Sequence, residues 1–195
     1  MSVKAALARL SAAVRPVLSP RVIAYCAHEE GLVLEAYKDS VNVWTWALGV
    51  TNASGHQVHP RYLDNPQSVE RCLEVSIWLM AERYLPPVMR AFAGCPMDEA
   101  KWAAALSFHW NTGAIGRATW AQDYAAGDRM NARRNIMNWS SRGLLTKRRA
   151  TERALFFDGV WPDLTVPVFP VRKPGYTPDF ARAKQIDLLS ILEAA

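Results

Sequence analysis

The 195-residue sequence predicts an α+β fold, mostly helical with one small antiparallel β-sheet lobe. Three observations predict it. Between Tyr37 and Val50 the composition turns to Tyr, Val, Trp and Thr in alternation, a hairpin pattern. On either side, apolar residues recur at spacings of three and four, the helical period. The changeovers carry start and stop signals: Ser19-Pro20 and Asn65-Pro66 as cap-plus-proline starts, Gly31 and Gly113 as ends. With half its residues hydrophobic and 21% charged, the chain holds enough apolar material for one ordinary domain.

Taken in order, Val3, Leu7, Leu10 and Val14 form a helical stripe that Pro16 ends. A second helix starts at Ser19-Pro20, presents Val22, Ile23, Cys26 and Ala27 on one face, and delivers Glu30 at its end. Gly31 stops it, since glycine turns left-handed without steric cost. In the hairpin, Val41, Val43, Thr45 and Ala47 fall on one alternation and Trp44, Trp46 and Leu48 on the other, with Asp39-Ser40 and Asn42 supplying turn chemistry. Gln57-Val58 is read as a short third strand. Helical pattern resumes with Val69, Cys72, Leu73, Ile77, Met80 and Tyr84, and Pro86-Pro87 breaks or kinks it. Asp98 caps an apolar helix that runs through Trp110 and ends at Asn111-Thr112-Gly113; further helices are expected at 117–126, 128–139 and 146–157. Beyond Trp161, Pro162, Pro167, Pro170, Pro174 and Pro178 punctuate an arm that lies over the body before a last helix from Phe180 to Leu192. The expected division is an N-terminal helical extension (1–18), a catalytic domain (19–161) and a proline-rich C-terminal arm with a terminal helix (162–195).

Composition narrows the partners. A formal charge of +5 favours anionic ones, among them nucleic acid, lipid and acidic wall polymer. The basic residues are scattered, with one dense cluster at Lys147-Arg148-Arg149, so no nucleic-acid stripe is expected. Cys26, Cys72 and Cys95 are odd in number and lack paired spacing, which speaks against a disulfide framework or zinc site; buried free thiols are expected. His28, His56, His59 and His109 lack metal-motif spacing, and neither a metal nor a cofactor is expected. No stretch is apolar enough to span a membrane, so no stable insertion is expected. Arg9 and Arg15 interrupt the apolar core that a secretion signal would need, so no export signal is expected.

Glu30, Asp39 and Thr45 stand within sixteen residues, on a helix end, a turn and a strand that can face one cleft. Cleavage of a glycosidic bond needs a carboxylic acid to protonate the leaving oxygen while a second carboxylate, or a water that it activates, attacks the anomeric carbon. The acid must hold its proton near neutral pH, which partial burial favours, and Glu30 against an apolar stripe suits that role. Asp39 in a polar turn suits the ionised partner, and the Thr45 hydroxyl can hold a water. Surface carboxylates are common, and Glu29 and Glu35 compete locally; Glu30 is preferred because it abuts the helix-ending glycine.

The run E-G-L-V-L-E-A-Y-K-D, then five residues, then Thr45, resembles the signature of the phage-type lysozymes, the endolysin muramidases of glycoside hydrolase family 24. Ser107-Phe108-His-Trp-Asn111-Thr-Gly113 is similar to that family's S-F-x-x-N-x-G helix end, and Gly143-Leu144 with Arg148-Arg149-Ala-Thr-Glu152-Arg153-Ala-Leu-Phe156 to its G-L and R-R-x-x-E-R-x-L-F segments. The three occur in family order and cover about residues 20–161. The resemblance implies a lysozyme-like fold with Glu30 as general acid, Asp39 positioning or activating water, and Thr45 holding it. It further implies that Arg148, or failing that Arg149, pairs with and orients Glu30, and that Asn111 and Trp139 line the far wall of the cleft. The family's continuation x-G-x-G-H-T is here Trp46-Ala47-Leu48-Gly49-Val50-Thr51, which loses one glycine and the histidine; Asn42 replaces the usual turn glycine and can adopt the same backbone.

The resemblance implies a muramidase that cleaves the β-1,4 bond between N-acetylmuramic acid and N-acetylglucosamine in bacterial peptidoglycan, for host-cell lysis. The expected partner is peptidoglycan, with no nucleic acid, and the protein is expected to be a monomer. It is expected in the host cytoplasm, with release to the periplasm and wall at lysis. Two alternatives stay open: a non-catalytic wall-binding or structural module of a phage-like particle, motivated by Ala47 and Val50, and a lytic transglycosylase, against which Asp39 and Thr45 speak.

Overall fold

The computed structural model describes residues 3–194. Met1, Ser2 and Ala195, the outermost residues of the expected N-terminal extension and C-terminal arm, lie outside them. The chain forms two compact units, one of Met1–Ser11, Ala27–Leu79 and Leu164–Ala195, the other of Ala12–Cys26 and Met80–Asp163.

In the first unit, β1 (Leu32–Lys38), β2 (Trp44–Ala47) and β3 (Val50–Thr51) form the expected antiparallel meander. Tyr37 lies opposite Thr45 and Lys38 opposite Trp44. The third strand is Val50–Thr51, not Gln57-Val58; the Val58 N–H instead donates to Asn52 Oδ1 at 2.7 Å. Trp46, fully buried, anchors the lobe: its Nε1 donates to Leu34 O at 3.0 Å and its ring stacks on Tyr62 at 3.9 Å. Helices α1 (Val3–Ala8) and α3 (Val69–Leu79) pack on each other, and α3 packs on β2. Helix α1 is shorter than its apolar stripe suggests, as a short stripe carries little helix stability alone.

The C-terminal segment departs most from expectation. It forms strands: β4 (Thr165–Phe169) pairs parallel with β1, Leu32 opposite Val168 and Val33 opposite Phe169, and β7 (Lys184–Asp187) pairs antiparallel with β4. The sheet is therefore mixed, in the order β3-β2-β1-β4-β7, and larger than the antiparallel lobe expected. Pro167 is tolerated because it precedes the stretch of β4 paired with β1. Between β4 and β7, β5 (Val171–Arg172) and β6 (Thr177–Pro178) make a two-stranded ribbon. The terminal helix expected from Phe180 is confined to α9 (Leu188–Glu193), because Lys184–Asp187 is drawn into the sheet and Asp187 caps the helix at Ser190.

The second unit is helical: α4 (Leu85–Ala91), α5 (Glu99–Thr112), α6 (Thr119–Ala125), α7 (Arg129–Asn135) and α8 (Thr146–Asp158). Asp98 caps α5 by accepting from Lys101 N at 2.9 Å, and Gly113 ends it at φ 62°. Pro86 and Pro87 sit in the first turn of α4, where a missing N–H costs no helical bond, after a π turn at Met80–Tyr84. The core is aromatic: Phe108, Trp120 and Phe156 meet edge to face, with Phe92 and Tyr124 beside them. Helix α2 (Pro20–Glu30) belongs to the second unit through Cys26 and to the first from Ala27.

Candidate active site

Glu30 is the last residue of α2 and half-buried. Gly31 follows at φ 70°, with its N–H donating to Ala27 O at 2.9 Å, so the chain leaves the helix sharply into β1. The same helix end is tied to the C-terminal strand: His28 Nδ1 lies 2.7 Å from Thr165 O, and the Phe169 ring packs on Gly31.

Asp39 heads a tight loop between β1 and β2. Its Oδ1 accepts from Val41 N at 3.0 Å and Val43 N at 2.8 Å, and Asn42 takes φ 63°, the left-handed backbone that asparagine tolerates. Thr45, 3% exposed, donates from Oγ1 to Val43 O at 3.1 Å. Val43 thus links the two side chains: its N–H holds the carboxylate and its carbonyl holds the hydroxyl.

Tyr37, which sequence reasoning did not single out, joins these groups. It lies directly across the ladder from Thr45. Its phenol is pushed well above the ordinary range, first by burial, then by the negative charges of Glu30 and Asp39. Tyr37 therefore stays neutral and senses both carboxylates, while its strand partner is the threonine. The signal lay in the Tyr37-Lys38-Asp39 spacing, which puts Tyr37 and Asp39 on one side of an extended chain.

The structure places Arg148, Asn111 and Trp139 in the second unit. Arg148 Nε contacts Glu152 Oε1 at 3.1 Å, and its Nη2 donates to Ser107 O and Oγ, each at 3.1 Å. Arg149 is fully buried: its Nη1 meets Glu152 Oε2 at 2.7 Å, its Nη2 donates to Asn111 Oδ1 at 2.6 Å, and its guanidinium lies over the Phe108 ring. Glu152, also 0% exposed, accepts from Ser107 Oγ at 2.8 Å. Burial pushes its carboxyl up to about 7, against the pull of Arg149 and Arg148. Asn111 is exposed at the end of α5, and Trp139 is half-buried, edge-on to Phe108. The residues of two motifs, at 107–113 and 148–152, thus converge on one buried network.

The two positions that break the expected pattern also have a structural account. Ala47 takes φ 54°, the backbone a glycine would occupy without strain, and Val50 is fully buried opposite Trp46. The lobe keeps its backbone at Ala47 and fills the other position with an apolar side chain.

The mostly helical architecture with a small mixed sheet is that of the lysozyme fold. The Phage lysozyme family matches residues 27–152, and the chain belongs to that family. Among solved structures, an endolysin from Escherichia coli O157:H7 phage FAHEc1 is similar at 24% identity over 75% of this chain and 96% of that one, with a TM-score of 0.64. The muramidase domain of SpmX from Asticaccaulis excentricus is similar at 18% identity over 72% of this chain and 97% of its own, with a TM-score of 0.58. No curated protein matches the sequence. The protein is a glycoside hydrolase of the lysozyme type, and the family's substrate is peptidoglycan. The family match stops at residue 152, so β4 to α9 lie beyond it. No helix among the described residues is long and apolar enough to cross a membrane.

Proposed function

We propose that the protein is a muramidase that hydrolyses the β-1,4 bond between N-acetylmuramic acid and N-acetylglucosamine, with Glu30 as general acid, Asp39 activating the attacking water and Thr45 holding it. The observation that carries this reading is the loop in which Val43 holds both the Asp39 carboxylate and the Thr45 hydroxyl, beside the strand that leaves Glu30 at the end of α2. In the proposed cycle Glu30 protonates the leaving sugar oxygen as its bond to the anomeric carbon breaks, and a water held by the Thr45 hydroxyl and Asp39 attacks that carbon and yields its proton to Asp39. Asp39 receives both loop N–H bonds on Oδ1, and among the described residues no donor reaches Oδ2, which is the oxygen assigned to the water. Neutral Tyr37 can donate a hydrogen bond without adding a third negative charge. Arg148 serves turnover through the Glu152 and Ser107 network that it braces, and Asn111 and Trp139 are assigned to the glycan. Protein carboxylates and water suffice for this chemistry. The enzyme acts on the wall at lysis and is released to it from the host cytoplasm.

Mass analysis of fragments from purified peptidoglycan tests the reading. Reducing N-acetylmuramic acid ends are expected. Anhydro ends would assign a transglycosylase, and binding without fragments would assign a wall-binding module. Asp39→Asn and Thr45→Ala are each expected to lower kcat by a factor of ~100 or more, in line with the loss of a positioned base.

A further inference from the structure

We propose that the C-terminal strands build a second recognition site, one that binds the short peptide stems of peptidoglycan by their free carboxylates. The inference deepens the muramidase reading and rests on it for the source of the ligand. Where β4 leaves β1, the two strands fork around a cavity of about 320 Å³, the size of a small-ligand pocket. Leu34 and Pro66 form one wall, Val168, Phe169 and Val171 the other.

The charges around this cavity are unequal. Glu35 is its one acidic lining residue, and Lys173 Nζ, which also pairs with Asp64, lies 3.1 Å from that carboxylate. Arg182 and Lys184 line the same cavity, both exposed, and among the described residues neither side chain makes an ion pair or hydrogen bond. Two lining cations against one lining carboxylate leave the cavity net positive, and beside an apolar wall this suits a ligand with carboxylates and short apolar side chains. A wall stem, with L-alanine, D-glutamate and a diamino acid, has that composition, whereas a bare glycan strand supplies few carboxylates and little apolar surface.

Reach agrees with this assignment. Leu34 lies four residues beyond Glu30, at most about 13 Å even for fully extended chain, and less across the Gly31 turn. A stem of three to five residues extends roughly 10 to 18 Å. A stem on the sugar held at Glu30 is therefore long enough to enter the fork. Phe169 belongs to both places, lining the cavity and packing on Gly31 beside the acid. Strand β4, which builds one wall, lies beyond the family match, so the pocket is an addition to the lysozyme body.

The test uses the full chain and the free tripeptide L-alanyl-γ-D-glutamyl-meso-diaminopimelate, followed by calorimetry and by chemical shifts of Val168, Phe169 and Val171. Saturable binding with shifts at these residues is expected, with affinity reduced about tenfold or more in the Arg182→Glu, Lys184→Glu double variant. Both substitutions are at exposed positions, and an unchanged melting curve confirms that the variant folds. The ratio of initial rates on intact wall to rates on amidase-stripped glycan is expected to exceed one and to fall toward one in the double variant. No saturable tripeptide binding, or binding undiminished in the double variant, overturns the proposal. Competition by inorganic phosphate at equal concentration also overturns it and assigns the pocket to a phosphate-bearing ligand. Tripeptide binding by a chain that releases no reducing ends sinks the muramidase reading and keeps the peptide site; the opposite outcome does the reverse.

Discussion

Gly31→Ala probes the junction between the acid and the C-terminal strands. The residue stands at φ +70°, and a Cβ there would fall inside the contact radius of Phe169 Cε2, with Cδ2 and Cζ each at 3.3 Å. A left-handed alanine costs ~1–2 kcal/mol, of which a lowered entropy of the unfolded chain returns ~0.4–1 kcal/mol. Displacing a packed ring adds ~1–3 kcal/mol. The expected loss is therefore ~1–5 kcal/mol by urea denaturation followed through tryptophan fluorescence. In a Phe169→Ala background the ring component disappears and the same substitution should cost only ~1 kcal/mol, a coupling large enough to measure by a double-mutant cycle. Because Glu30 adjoins Gly31, kcat should fall more than KM rises. A Gly31→Ala chain within ~0.5 kcal/mol of wild type, or an equal cost with and without Phe169, would refute the claim that the ring seats the helix end.

Glu152 makes stability depend on pH. Its folded-state pKa, raised by burial from 4.5 to about 7, means that the folded chain holds the proton more tightly. The contribution is full below pH ~4.5 and is lost as pH rises through ~7. Wild type should therefore lose stability relative to Glu152→Gln between pH 4.5 and 8; a gain over this range in paired urea titrations would contradict the assignment. Ala47→Gly should stabilise by ~0.5–1 kcal/mol, since it relieves a left-handed alanine at φ 54°, and a lower denaturation midpoint would show that the strain lies elsewhere. Arg148→Lys should weaken turnover more than Lys147→Ala does, because only the guanidinium reaches Glu152 and Ser107 together. Equal kcat values for the two would remove that role.

The parts legible in the sequence were those with local causes. Ser19-Pro20 marks the α2 start, the glycine stop after Glu30 is a property of one residue, and the hairpin around Asp39 follows from alternation and an asparagine turn. The aromatic helices of the second unit were visible in their period. Strands β4 and β7 were not: β4 is held by pairing with β1 across about 135 positions, Leu32 with Val168, β7 is held by β4 in turn, and prolines masked the alternation. Pairing with β4 shortened the last helix, since four of its expected residues, Lys184–Asp187, enter β7. Tyr37 was overlooked for a different reason: it reads as an ordinary strand tyrosine, and only its burial beside two carboxylates sets it apart. Ala47 and Val50, departures when read along the chain, are accommodated by a strained backbone and a buried apolar contact.

The most direct test of the central claim is the rate at which Glu30→Gln releases reducing ends from purified peptidoglycan, beside a melting curve and wall-binding isotherm for the same protein. Glutamine keeps the size of the side chain and removes the transferable proton, so turnover should fall by at least ~100-fold while folding and wall binding persist. Turnover equal to wild type in a folded Glu30→Gln protein would contradict the account.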